Sequence, residues 1–336
     1  MKLPENDEHD NDEVTEEGLV DLTQPLPIRS KRTERLRKRH EKKKNPQFRQ
    51  FLDLPYDIMM VILQIVRPRD LFVLCRVNKS LRDFILAEED RISDSVIALR
   101  YSVLAKCLRR PVLLADIDDP VAHVALLSPL RSEIQNMRKR PFQHIQLPDM
   151  SLVCTCLTCL LRWNSFCLVP DFAHWQDHLD KGEPIPIIPR GINPVWNQEL
   201  LARNAEIAVK AMRRPLWYAR LLEVHLDSMV RAIRRHGQNK GNQRRRFHMT
   251  EPDARAGTDW FLEAQGPSTL DIPFSRDNYY MLETFLPSRS WIAHLGRWGY
   301  LPADQHDKDV EVAVKWEAWR RRRVDNPPFE EVCVKV

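Results

Sequence analysis

Between positions 48 and 90 the chain reads FRQFLDLPYDIMMVILQIVRPRDLFVLCRVNKSLRDFILAEED, and the spacing of prolines and apolar side chains in it dictates short helices with fixed ends. Pro55 suits a first helical turn, where a missing N–H is harmless, and Asp57 complements the positive end of the dipole. Ile58, Met59, Val61, Ile62, Ile65 and Val66 recur at i, i+3, i+4 and i+7 with extra coverage. This predicts a helix over 55–66 that is apolar on more than one face. Arg67 stands before Pro68 and is pushed out of the α region, so the helix stops there. Pro68 opens a second helix with Asp70 in its first turn and Leu71, Val73 and Leu74 turned inward, and Asn78 caps a third through Leu81, Phe84, Ile85 and Leu86. About forty residues is near the lower limit for folding alone, so the unit must pack on something. Its doubled apolar face points to a docking module for another helix-rich protein.

The order Leu54-Pro55, Ile58, Ile62, Pro68, Asp70-Leu71, Leu74, Arg76-Val77, Lys79, Leu81-Arg82 and Phe84-Ile85 resembles an F-box, in the style of fungal F-box proteins. The resemblance covers about forty of the 336 residues. It implies that the Leu-Pro start and the apolar residues of three helices dock on the Skp adaptor of a cullin-RING ubiquitin ligase while the rest of the chain selects a protein substrate. Carried over position by position, adaptor contacts fall on Leu54, Pro55, Ile58, Leu74 and Val77. Many members have a Cys-Lys-x-Trp-Arg run, and here Asn78-Lys79-Ser80-Leu81-Arg82 lacks the tryptophan. Leu81 has less surface to bury, which weakens the expected contact. A segment with the sequence CLTCLLRWNSFCLVPDFAHWQDHLDKGEPIPIIPRG is similar to one that recurs in uncharacterised fungal F-box proteins.

Charge is unevenly distributed before this module. Nine Asp or Glu and no Lys or Arg fall between positions 5 and 21, a composition that cannot bury a core and predicts disorder. From 29 to 44 the sign reverses to ten Lys or Arg against Glu34 and Glu41. Three forms compete for this block: a solvated helix or tail, a phosphate-binding arm, and a nuclear-import signal carried by Lys31, Arg32, Arg35, Arg37, Lys38, Arg39, Lys42, Lys43 and Lys44. A phosphate arm would give a steep salt dependence, about −0.9 in log affinity per phosphate neutralised.

The remaining chain reads as mainly α with long irregular loops. Helices are predicted over 197–213 and 215–236, broken at Arg214-Pro215, with Gly237 as C-cap, and further helices over 288–298 and 307–323. No fixed-period repeat is evident. Nine glycines against 24 prolines disfavour folds that use glycine freely. The expected organisation is a disordered tail over 1–47, an F-box-like three-helix module over 48–92, a larger irregular helical substrate or interaction domain over 93–325 and a C-terminal tail over 326–336.

Cys154, Cys156, Cys159 and Cys167 form C-x-C-x2-C-x7-C, with His174 and His178 one turn apart downstream. Thiolate and imidazole are zinc ligands, but paired C-x2-C units are absent and Leu157, Leu160, Leu161, Trp163, Phe166 and Leu168 intervene, so buried thiols are the favoured reading and no cofactor is expected. His174-Trp-Gln-Asp-His178 lacks the Glu of a metalloprotease helix, and no nucleophile elbow, phosphate loop or kinase signature occurs, so no catalytic residue is assigned. A second basic cluster over 231–246 carries seven Lys or Arg and no acid. It fits a solvated helix end or a patch for an acidic or phosphorylated partner; nucleic acid is disfavoured because no aromatic platform is interleaved. The tryptophans at 260, 291, 298, 316 and 319 are expected as core anchors, with Trp316 and Trp319 on the buried face of the last helix.

Seven cysteines, no apolar leader and no apolar run of about 18 residues predict a soluble intracellular protein, nuclear or cytoplasmic, without membrane contact. The function expected is a non-enzymatic F-box substrate receptor partnered by the Skp adaptor and its ligase. The alternatives are a nuclear nucleic-acid-associated protein and a structural-zinc helical protein.

Overall fold

The structure is a computed structural model and describes residues 31–44, 51–129, 131, 133, 143–189, 191–239, 241, 247–263, 272–300 and 305–325. The acidic segment over 5–21 and the C-terminal tail over 326–336 lie outside the described residues. The chain divides into two units, Met1–Leu54 and Pro55–Val336.

In the first unit the basic block forms helix α1 (Lys31–Lys44), and a short 3-10 turn follows at Phe51–Asp53. Lys31, Arg32, Arg35, Lys38 and Arg39 face solvent, and Lys38 Nζ lies 3.5 Å from Glu34 Oε1 one turn away. Such an exposed pair contributes a few tenths of a kcal/mol.

The second unit begins with α2 (Tyr56–Ile65), α3 (Pro68–Val77) and α4 (Lys79–Ala87), close to the predicted bounds. Pro68 occupies the first turn of α3, and Asn78 caps α4 by accepting from the Ser80 N–H at 2.8 Å. Next come α5 (Glu89–Arg100), α6 (Ser102–Cys107), α7 (Pro120–Leu126), α8 (Leu157–His174), α9 (Gln176–Lys181), α10 (Val195–Arg213), α11 (Pro215–Gln238), α12 (Glu251–Ala256) and α13 (His306–Asp325).

The long helices α8, α10 and α11 pack on one another, and α11 also meets α3 and α5. Leu216, Leu221, Leu222, Leu226 and Met229 of α11 are buried, as are Leu200, Ala208 and Met212 of α10 and Trp163, Phe166 and Phe172 of α8. Phe166 and Tyr218 stack with ring centroids 5.9 Å apart. The break between α10 and α11 falls at Arg214, which is extended before Pro215.

Carboxylates from remote sequence close several helix ends. Glu223 of α11 accepts from the Arg69 N–H in the first turn of α3 at 2.8 Å. Glu89 accepts from the Leu216 N–H in the first turn of α11 and pairs with Arg214 at 2.7 Å. Asp259 accepts from the Val103 and Leu104 N–H groups of α6, at 2.8 and 2.7 Å. These bonds satisfy orphan donors and set anions at positive helix ends, so the small helices are fastened to α11 and its neighbours by polar bonds as well as by apolar contact.

Three expectations are corrected. Residues 288–298 do not form an α-helix: β1 (Ser290–Ile292) and β2 (Arg297–Gly299) pair antiparallel, Trp291 opposite Trp298, around a 3-10 turn at Ala293–Leu295. Ser288 and Gly296 take left-handed backbone, which an α-helix excludes, and a Cβ on Gly299 would come within 2.4 Å of the Ile292 side chain. Gly237 does not end α11, which runs on to Gln238. Trp260, Trp291 and Trp319 are exposed and do not anchor the core, while Trp316 is half-buried. The inward face of α13 carries Val310, Ala313, Val314 and Glu317, because the helix is laid against a small cluster of Leu114, Ala122 and Leu126.

Candidate functional site

The helices α2 and α3 each have two apolar faces with different fates. Met59, Met60 and Leu63 of α2 and Leu71 of α3 are buried, together with Leu81 and Ile85 of α4. Phe72 packs on Trp217 of α11 at 4.9 Å, and the Tyr56 and Phe84 rings meet edge to face at 5.9 Å. The second faces stay open: Ile58 is 49% exposed and Val77 72%, with Val61, Ile65 and Val73 also exposed. Pro55 is exposed and Leu54 and Leu74 are half-buried. Arg100 Nη2 donates to the Ile65 carbonyl at 2.6 Å, closing the last turn of α2. The stripe is therefore held on fixed helices.

A second centre lies where α8 begins. Cys154, Cys156 and Cys159 are fully buried and His306 is half-buried, and one ligating atom from each lies within 4.8 Å of all the others. His306 Nδ1 is 3.4 Å from Cys156 Sγ and 3.3 Å from Cys159 Sγ. Each sulfur also receives one backbone N–H at 3.4 Å: Cys154 from Cys156, Cys156 from Cys159, and Cys159 from Val112. Local sequence explains the second bond, since Cys156 is the N-cap of α8 and its side chain accepts from the Cys159 N–H. The antiparallel bridge between Leu113 and Val153 brings Val112 alongside. Side-chain bonds from Cys154 and Cys156 push the Cys159 thiol down, and the bonds from Cys156 and Cys159 push Cys154 up.

The six residues considered for zinc from the sequence thus separate. Cys154, Cys156 and Cys159 come together, Cys167 is buried further along α8, and His174 and His178 stand edge-on to the Trp175 ring at the other end of the helix. The 18 residues of α8 span about 27 Å, which removes both histidines from the thiols. His306 takes their place from 147 positions beyond Cys159. No local signal marks it.

A third polar centre, also missed from sequence, is complete in itself. Asp171 of α8 is fully buried and accepts from Arg276 Nε at 3.0 Å, Arg276 Nη2 at 2.9 Å, Tyr279 Oη at 2.8 Å and Asn204 Nδ2 at 3.1 Å. Arg276 Nη1 donates to Asn197 at 2.9 Å, so α8, α10 and the 276–281 turn meet on one bidentate ion pair.

The described part of the second basic cluster is neutralised within the chain. Arg231 lies 3.3 Å from Asp180, Arg234 2.8 Å from Glu251 and Arg235 3.7 Å from Asp180. Lys240 and residues 242–246 lie outside the described residues. No helix among the described residues is long and apolar enough to cross a membrane.

The second unit opens on three short helices, α2, α3 and α4, that carry an uncovered apolar stripe. The F-box domain family matches residues 51–91, the span of the 3-10 turn, α2, α3, α4 and the start of α5. The chain is an F-box domain-containing protein. No curated protein and no solved structure matches it.

Proposed function

We propose that the protein is the substrate-receptor subunit of a Skp-cullin-RING ubiquitin ligase, with the F-box gripping the Skp adaptor and the helices from α5 onward holding a protein target. One coincidence carries this reading: the segment matched by the F-box family also has a second apolar face, Ile58, Val61, Ile65, Val73 and Val77, that the described core leaves open. By the family's pattern the adaptor contacts are Leu54, Pro55, Ile58, Leu74 and Val77. In this role the chain supplies proximity and orientation, and bond-making belongs to partner subunits.

Affinity purification of the full chain, followed by identification of the bound subunits, tests the reading. Adaptor and cullin should be recovered with the wild type and lost with Ile58→Asp combined with Val77→Asp. Recovery of neither from the wild type, or equal recovery from both proteins, would end it.

A further inference from the structure

We propose that Cys154, Cys156, Cys159 and His306 bind one Zn2+ as a closed structural site that fastens α13 to the start of α8. The proposal is independent of the adaptor reading. Zinc with sulfur at about 2.3 Å and nitrogen at about 2.0–2.1 Å in a tetrahedron places sulfur about 3.6 Å from nitrogen. The two measured separations, 3.4 and 3.3 Å, fall within a few tenths of that. The same geometry spaces sulfurs by about 3.8 Å, and all four ligating atoms lie within 4.8 Å of one another. Four protein ligands leave no open position, so the site is structural in kind. Soft thiolates with one imidazole select zinc over the hard, oxygen-seeking cations.

The surroundings suit thiolates. All three sulfurs receive a backbone N–H, and Cys156 and Cys159 sit at the positive end of an 18-residue helix. On binding, the three thiols release their protons to solvent and Zn2+ replaces them, leaving a centre of net charge −1 that these donors and the helix end stabilise. The cysteines are free thiols, with no disulfide competing for the sulfurs. His306 and Asp307 line a surface basin with Arg109, Arg110 and Arg162, so solvent reaches the imidazole edge of the site.

The helix that the ion would hold packs on α7 and on the start of α8 through one small apolar cluster. Among the described side chains of α13, Ala313 and Glu317 are buried, and Val310, Val314, Trp316 and Arg320 are partly so. At its first turn, however, Asp309 accepts from the Thr158 N–H at 2.8 Å and from Thr158 Oγ1 at 2.6 Å. This fixes the turn that carries His306 against the turn that carries Cys159. A ligand pair 147 positions apart, registered by a separate hydrogen-bond clamp, is what a staple between distant segments requires.

The test is the metal content of the purified full-length chain, with cobalt(II) as a spectroscopic probe. The expected result is one zinc per chain, and after exchange a cobalt spectrum with tetrahedral d–d bands and sulfur-to-metal charge transfer. His306→Ala should lose at least tenfold in zinc affinity, whereas His306→Cys and Cys167→Ser should each keep one equivalent. If Cys159→Ser fails to fold, the His306 and Cys167 variants still decide. Wild-type protein without zinc and without a thiolate–cobalt band, or with iron or copper in place of zinc, would overturn the proposal. So would loss of zinc from Cys167→Ser with retention in His306→Ala.

Discussion

The face of α2 and α3 and the centre at the start of α8 are opposite departures from the usual rule. The first leaves apolar side chains outside, and the second gathers three buried thiols around a half-buried imidazole. The pair of Asp171 and Arg276 shows what balance looks like by comparison: a buried anion with its own cation, and hydrogen bonds from Tyr279 and Asn204 completing it. Burial is tolerated there because the chain supplies both halves. Among the described residues neither of the other two regions has a complement of that kind. An apolar stripe is complemented by a protein surface, and a knot of lone pairs by a soft cation.

Breaking the balanced centre should have the largest effect. Arg276→Met leaves Asp171 buried without its cation, which costs roughly 3–5 kcal/mol. Denaturant unfolding should show this loss, and Asp171→Asn added to Arg276→Met should restore part of it. An unchanged midpoint would mean that Asp171 finds water or another partner.

Acid probes the same centre. His144 beside it and His225 against the Phe285 carbonyl are both pushed down to about 4 by burial, so they fold neutral. In the unfolded chain they take up protons near pH 6.5, so stability is complete above that and is lost as pH falls toward 4, by about 2 kcal/mol each at pH 5. Denaturation at pH 7 and pH 5 should show the loss, and His225→Gln should remove about half of it. A flat profile would contradict the neutral burial.

The unbalanced interior centre comes next. With free zinc at one hundred times its dissociation constant, linkage contributes about 2.7 kcal/mol, which a strong chelator should abolish. Thermal unfolding with and without chelator reads it, and His306→Ala should make the two curves coincide.

Legibility from sequence follows the range of the signals. Pro55, Pro68 and Asn78 act on their own turns, so α2, α3 and α4 could be placed nearly to the residue, and the F-box spacing with them. The caps from Glu223, Glu89 and Asp259 reach across 127 to 156 positions and leave no local pattern. His306 is hidden for the same reason. His174 and His178 were attractive because they lie near the cysteines in sequence, but a continuous helix carries them away. The hairpin at 290–299 departs from the helix expected over 288–298 because the backbone at Ser288 and Gly296 is left-handed and the Trp291 and Trp298 rings meet edge to face across the two strands. For α13, the clamp between Asp309 and Thr158 fixes the start of the helix, which turns Ala313 inward and Trp319 out.

The outer stripe has the smallest expected effect on the protein's own stability, and it is also where the functional reading is most exposed to test. Titration of the full chain with purified Skp adaptor, comparing the wild type with Ile58→Asp, bears on it most directly. A saturable one-to-one complex that weakens by about thirtyfold or more in the variant, roughly 2 kcal/mol, while the unfolding midpoint stays unchanged, is the predicted result. No complex with the wild type, or equal affinity for both proteins, would contradict it.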